Sequence, residues 1–174
     1  MKKNEKNIFL REVQPSDLEV LLEWENNPEH WKVSGTVKPF TTEELWSFVT
    51  DESSFIQTGQ KRWMICLEEL LTPIGAIDLF AADFVHGCAG VGVLISEPKF
   101  RNKGFATQAL ELLIELSINE FNFYNLSCSI HADNSASIEL FKKVGFKQIG
   151  IRKDWYIHNG IRIDEHLFQL CLKK

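Results

Sequence analysis

Arg101-Asn102-Lys103-Gly104-Phe105-Ala106 decides how this chain is read. Before it stands a β-rich run, Val91-Gly92-Val93-Leu94-Ile95-Ser96. After it, apolar residues recur at Ala106, Ala109, Leu110, Leu113 and Ile114, the spacing of one helix face. A strand, a short basic loop with glycine and a helix start together make a site for an anion. The first amides of a helix lack intrahelical partners, and the helix dipole adds positive potential there. Gly104 lets the backbone approach a ligand, and Arg101 and Lys103 add charge. A pyrophosphate fits such a site.

Working outward, Ile8 to Val13 reads as a strand. Ser16 followed by Glu19 is a capping box, opening a helix with Leu18, Leu21 and Leu22 inward. Pro28 closes that region. Thr41 with Glu44 is a second box, and its helix turns Leu45, Phe48 and Val49 inward. Arg62–Glu68 and Ile74–Ala81 are strand-like and joined by a turn over Leu70–Pro73. Cys88–Ser96 is the next strand, where Gly90 and Gly92 mark a bulge or a close backbone approach. A helix from Gly104 to about Phe121 follows, then a strand over Leu126–His131. Next come a helix over Ser135–Val144 stopped by Gly145 and a strand over Phe146–Arg152. Trp155–Leu170 is a hairpin, turned by Asn159-Gly160 in the type I′ manner. These elements give an α/β (α+β mixed) fold built on a mixed sheet.

Composition narrows the classes. The 174 residues suit one domain, 1–174, with a hydrophobic core. A net charge of −5 argues against a nucleic-acid binder and is compatible with a cationic small molecule. Cys66, Cys88, Cys128 and Cys171 show no Cys-x-x-Cys pairing and no accompanying His spacing, so buried reduced thiols and no metal are expected. The charged start, Met1 to Arg11, lacks the apolar run of a signal peptide, and no stretch is long enough to span a membrane. A cytoplasmic location is expected.

Three further stretches carry a resemblance. Leu10-Arg11-Glu12-Val13 leads to Asp17-Leu18 and Trp24. Asn134-Ser135-Ala136-Ser137 leads to Phe141-Lys142-Lys143-Val144-Gly145-Phe146. Trp155 leads to Asn159-Gly160, Asp164-Glu165 and Leu170. With the Arg101–Ala106 loop, these resemble the GNAT superfamily of acetyl-CoA-dependent N-acetyltransferases over Ile8 to Leu170. Two branches are the nearest in pattern: one acetylates ribosomal-protein N-termini, the other spermidine and related diamines.

The resemblance implies a sheet of about seven strands, splayed between the fourth and fifth, with helices on both sides. Acetyl-CoA would lie in the splay as cosubstrate. Its contacts would come from Val93, Leu94, Ile95, Arg101, Asn102, Lys103, Gly104, Phe105, Ala106, Thr107, Asn134 and Phe141. The implied reaction is direct transfer to a primary amine through a tetrahedral intermediate. The amine must be neutral to attack. An alkyl amine titrates near ~10.4, so on the order of one molecule in a thousand is neutral at pH 7. A base therefore helps, and a backbone N–H near Val93 to Ile95 would stabilise the oxyanion.

Here the chain departs from the family. Phe141 stands where many members carry a tyrosine acid, and phenylalanine has no proton to give. Ser137 matches a serine of the ribosomal-protein branch near the thiol and is the first candidate acid; it also suits a plain helix N-terminus. Tyr156 is the second candidate. Gly90 stands where some relatives place a glutamate base. Asp78 and Asp83 remain on the acceptor side, and His86 and His131 could titrate near neutrality. The acceptor pocket is expected from Trp24, Glu25, His30, Trp31 and Trp155, since rings beside carboxylates hold an ammonium. Trp24 and Trp31 also suit the core. The acceptor is a polyamine, a diamine or a protein N-terminus, with an amino sugar or antibiotic as the rival within enzymes. A non-catalytic acyl-CoA sensor is the rival outside them. No nucleic-acid or membrane partner is expected, and a homo-oligomer is possible. A Rossmann nucleotide fold is disfavoured, because the loop lacks Gly-x-Gly-x-x-Gly and follows several strands.

Overall fold

Alternation along the strands builds two apolar layers on one sheet. In the computed structural model, which describes residues 7–34, 36–69 and 71–172, the sheet has seven strands in the order β1-β2-β3-β4-β5-β7-β6. They are β1 (Ile8–Glu12), β2 (Lys61–Leu67), β3 (Pro73–Asp83), β4 (Cys88–Ile95), β5 (Asn125–His131), β6 (Lys147–His158) and β7 (Ile161–Cys171). Only β4 and β5 pair in parallel; the others are antiparallel. Helices α1 (Leu18–Glu25), α2 (Pro28–Ser34), α3 (Thr42–Val49) and α4 (Phe55–Thr58) precede β2. Helix α5 (Phe105–Asn119) follows β4, and α6 (Ser135–Lys143) follows β5.

Strand β2 shows how the layers divide. Trp63 and Ile65 join Ile77, Leu79 and Val91 with Ala109, Leu110 and Leu113 of α5. Met64 and Cys66 point the other way, to Leu21 and Trp24 of α1 and Val49 of α3. Ile138 and Phe141 place α6 on the α5 side. The charged start through Lys6, and Leu70 of the expected turn, lie outside the described residues.

The mixed seven-stranded sheet and the splay are as expected, and several local readings are corrected. The first capping box does not form at Ser16 and Glu19. Instead Asp17 is buried, accepting two hydrogen bonds of 2.7 Å from Arg11 and one of 2.8 Å from the Gln14 N–H. The pull of a guanidinium outweighs a surface cap. A 3₁₀ turn over Pro15–Asp17 therefore precedes α1. Pro28 opens α2 rather than closing the region, because a proline at a helix start loses no hydrogen bond. The Thr41–Glu44 box forms as expected, with reciprocal bonds of 3.1 and 2.8 Å. Phe48 is not inward; it is exposed, with the Arg62 guanidinium 5.5 Å from its ring centre. The four-residue α4 is too short for periodicity to reveal.

Strand β6 runs beyond Arg152 to His158, so the final hairpin is longer than its turn alone suggests. Asn159 and Gly160 take φ of 50° and 77°, the left-handed pair a type I′ turn requires. The four cysteines are free, but Cys171 is exposed rather than buried.

Candidate active site

The parting of β4 and β5 makes the site. They pair only from Cys88↔Asn125 to Gly90↔Ser127; beyond that no ladder pair joins them among the described residues. Ser96 donates to the Ile74 carbonyl at 3.0 Å, so the even residues of β4 bond toward β3. With a period of two, the N–H groups of Val91 and Val93 point the other way, into the gap. A cleft of about 760 Å³ opens there. Val93, Asn134, Ser137 and Phe141 line it, and so do Glu25, Arg62, Asp78 and Tyr156.

The loop between β4 and α5 turns into the helix through left-handed residues. Asn102 and Gly104 sit at φ of 59° and 86°. The first helical bond of α5 runs from the Gln108 N–H to the Gly104 carbonyl at 3.0 Å. The amides of Phe105, Ala106 and Thr107 therefore have no carbonyl one turn earlier. A Cβ built on Gly104 would meet nothing within 4 Å, so the space over this helix start is open. Arg101 differs from the reading that made it a ligand. Its guanidinium donates to the carbonyls of Ile95 and Ser96 at 3.0 and 2.6 Å and approaches His30 Nε2 at 3.3 Å. Arg101 thus ties the loop to the end of β4 and to α2. Leu94 faces a smaller hollow of about 110 Å³ beside the main cleft, and Ile95 is buried.

The acid–base candidates lie in unequal settings. Asn134 caps α6, its side chain accepting from the Ser137 N–H at 3.1 Å, and this fixes Ser137 at the cleft wall. Phe141 is buried edge-on against Phe146, with ring centres 5.0 Å apart. Asp78 is held bidentately by Arg62, at 2.6 Å from Nε and 3.0 Å from Nη2. The Glu25 carboxylate takes the remaining arm, Nη1, at 2.5 Å. Burial opposes the Arg62 charge, yet the two carboxylates outweigh it and raise its pKa. Tyr156 donates to Glu165 at 2.6 Å. Burial first, and that carboxylate second, push the phenol up to about 12. Cys128 also lines the cleft, and burial pushes its thiol up to about 12, so it offers no thiolate nucleophile at neutral pH.

The expected aromatic acceptor cage is not assembled. Trp24 is 4% exposed and packs in the α1 layer. His30 is buried as a strut: Nδ1 lies 2.9 Å from the Trp24 carbonyl, and Nε2 faces Arg101. Trp31 donates its indole N–H to the Glu25 carbonyl at 2.8 Å. Trp155 is exposed under Arg152 and lines no part of the cleft. Of the five, only Glu25 reaches the main cleft; Trp24 and His30 border the smaller hollow. The rings that do face the cleft are Phe40, Phe48, Phe80, His131, Phe141 and Tyr156. Phe80 sits where Gly90 leaves room: a Cβ there would fall 2.4 Å from its ring. His131, a candidate for titration near neutrality, does line the cleft, whereas Arg62 and Glu165 join the site without a motif to announce them. A charged residue inside a strand pattern was their signal, and only the strand register shows which partners they meet.

The acetyltransferase (GNAT) domain family matches residues 7–147. The chain is 25% identical over 171 residues to the uncharacterized N-acetyltransferase p20 of Bacillus licheniformis, covering 96% of this chain and 94% of that protein. It is 29% identical over 86 residues to the spermidine N(1)-acetyltransferase of Escherichia coli (strain K12), covering 49% of this chain and 46% of that protein. The crystal structure of spermidine N-acetyltransferase from Vibrio cholerae in complex with CoA and spermine superimposes with a TM-score of 0.84 at 19% identity, covering 95% of this chain and 96% of that one. At that identity the likeness is one of fold.

Proposed function

Since this chain belongs to the GNAT acetyltransferase family and is an N-acetyltransferase, we propose that it moves the acetyl group of acetyl-CoA directly to a primary amine in the cleft between β4 and β5. Residues 1–174 act as one N-acetyltransferase domain in this reading. The observation that carries it is the early parting of the two strands. It turns the Val91 and Val93 amides to the gap, and the helix that follows β4 starts at Gly104 with open space over it.

The pyrophosphate would rest on the amides of Phe105, Ala106 and Thr107. The thioester oxygen would accept from the Val93 N–H as negative charge develops. The amine nitrogen forms its bond to the carbonyl carbon and gives up a proton to a base, the carbon–sulfur bond breaks, and the thiolate takes a proton. Ser137, fixed on the cleft wall by the Asn134 cap, is the proposed donor. Asp78 orients Arg62, and Glu25, which gives Arg62 one oxygen, offers the other to the acceptor ammonium. A diamine, a polyamine or a protein N-terminus fits this arrangement. The E. coli spermidine N(1)-acetyltransferase relative supports the first two.

The deciding experiment measures thiol release from acetyl-CoA with a panel of diamines, polyamines, amino sugars and N-terminal peptides. Turnover with a cationic amine is the expected result. Turnover with amino sugars alone would replace the acceptor class. Binding of acetyl-CoA with no release from any amine would overturn catalysis in favour of a sensor.

A further inference from the structure

The wall of the cleft away from Asp78 carries a second polar cluster. His131 on β5 and Arg152 on β6 both stand opposite Glu165 on β7, which lies between their strands. Glu165 is 2% exposed. Its Oε2 accepts from Arg152 Nη1 at 2.7 Å, and its Oε1 accepts from the Tyr156 hydroxyl at 2.6 Å. The register explains the second bond. Arg152 pairs with Glu165, yet Tyr156 pairs with Ile163, so two extra residues bulge from β6 between them, with Asp154 at φ 53°. That bulge keeps Tyr156 on the face that Glu165 and Ile163 share and moves it one pair closer to Glu165. Tyr156, Glu165 and His131 all line the cleft.

A hydroxyl has one proton and two lone pairs. The Tyr156 proton is committed to Glu165, so what Tyr156 offers the cleft is a lone pair. It is placed to receive an N–H proton, not to protonate a thiolate. We propose that Tyr156 and Glu165 form the relay that removes the acceptor amine's proton. This rests on the acetyl-transfer reading above. As the carbon–nitrogen bond forms, the nitrogen's proton passes to Tyr156 Oη while the Tyr156 proton passes to Glu165 Oε1. The tyrosine stays neutral, and the carboxylate becomes a neutral acid. Tyr156 is the catalytic residue that touches the amine; Glu165 is the positioning residue behind it. The relay places the base on the β6–β7 hairpin rather than on Asp78, whose oxygens already hold Arg62.

The surroundings suit a proton passed through rather than held. A phenol near 12 does not ionise at working pH. Arg152 from β6 balances the carboxylate before transfer. From β5, the His131 ring lies against Tyr156 with centres 3.9 Å apart. Burial pulls the His131 pKa down; Asp133 and Glu165 act upward on it, and Lys32 and His158 downward. At neutral pH that ring adds no charge to the pair.

Tyr156→Phe keeps the ring and removes the lone pairs. Glu165→Gln keeps the shape and the bond from Tyr156 but gives up the carboxylate. Each should lower kcat on the order of a hundredfold, the double variant should be no slower than the singles, and the acetyl-CoA Kd should hold. Glu165→Asp, which keeps a carboxylate behind Tyr156, should recover part of the kcat that Glu165→Gln loses. A folded Tyr156→Phe or Glu165→Gln variant with kcat within threefold of the parent, or a Glu165→Asp variant no faster than Glu165→Gln, overturns the relay. Should Glu165→Gln fail to fold, Tyr156→Phe decides by the same threefold criterion. A parent chain that acetylates no amine fails the underlying reading and the relay with it. A parent chain that turns over while both variants keep its rate fails the relay alone.

Discussion

Gly104→Ala is the sharpest test of the anion loop, because the structure separates its two effects. Gly104 has φ of 86°, so any side chain there is strained whatever room it has. That strain is about 1–2 kcal/mol. Among the described residues no atom lies within 4 Å of the added methyl, so it meets no clash there. What remains for the methyl to meet is a ligand approaching the amides of Phe105 and Ala106. We expect acetyl-CoA to bind at least tenfold more weakly, a loss of about 1.4 kcal/mol. The chain supplies its own control. Gly160, in the distant type I′ turn, has φ of 77° and likewise nothing within 4 Å of an added Cβ. Gly160→Ala should lower the thermal midpoint by a similar amount and leave affinity alone. Isothermal calorimetry with acetyl-CoA and thermal unfolding, run on both variants, give the comparison. Unchanged affinity in folded Gly104→Ala would refute a pyrophosphate seat on this loop. Equal affinity loss in both variants would show that strain, not contact, was measured.

Three further outcomes are expected. Ser137→Ala should lower kcat on the order of a hundredfold with little change in acetyl-CoA affinity, and in single-turnover assays Phe141→Tyr should recover part of that loss. Asp17 is depressed below its ordinary 3.8: burial pushes it up, but Arg11 and the Gln14 amide outweigh that. Its stabilisation, about 1–3 kcal/mol, is therefore complete above the unfolded value near 4 and lost as pH falls through the folded value. Asp17→Asn should flatten that acid limb in urea titrations. The amine KM should rise by no more than about fivefold from low to high salt, since one exposed ion pair is worth ~1 kcal/mol at most.

The sheet and the start of α5 were legible because their causes are local. Alternation in Trp63-Met64-Ile65-Cys66 divides the two layers, and Gly104 with the apolar period after it marks the helix start. Asn159-Gly160 declares its turn from two residues. What escaped depends on register and distance. The Arg11–Asp17 bond decides where α1 begins, and no spacing rule ranks it above Ser16 with Glu19. Arg62 meets Asp78 across the β2–β3 ladder, an encounter visible only once the two strands are paired. The two-residue bulge in β6 puts Tyr156 beside Glu165, whereas an unbroken ladder would have set Asp154 there. Trp24, His30, Trp31 and Trp155 looked like a cage because they are aromatic and near carboxylates in sequence. Three of them instead serve α1 and α2, and the fourth stacks under Arg152 outside the cleft.

The charge of the chain and the charge of the cleft are different quantities, and the second bears on the acceptor. A net −5 suggests a pocket for a polycation. Around the cleft, however, most carboxylates are already answered. Glu165 pairs with Arg152, Glu44 with Lys38, and Asp133 with Lys32. Glu25 and Asp78 share the single guanidinium of Arg62, which leaves one negative charge in excess at the triad. One excess charge suits one ammonium. A spermidine-like acceptor engaged through three such contacts would show a KM rising about a hundredfold with salt, three fivefold factors multiplied. An α-amino group adds a second consideration. It titrates near ~7.7–8.0, so its neutral fraction at pH 7 exceeds that of an alkyl amine by about two orders of magnitude. With Asp78 already clamped by Arg62, an acceptor that arrives partly neutral asks less of the remaining base. The triad therefore weights the proposal toward an amine with one charge at the reacting end, as a peptide N-terminus presents.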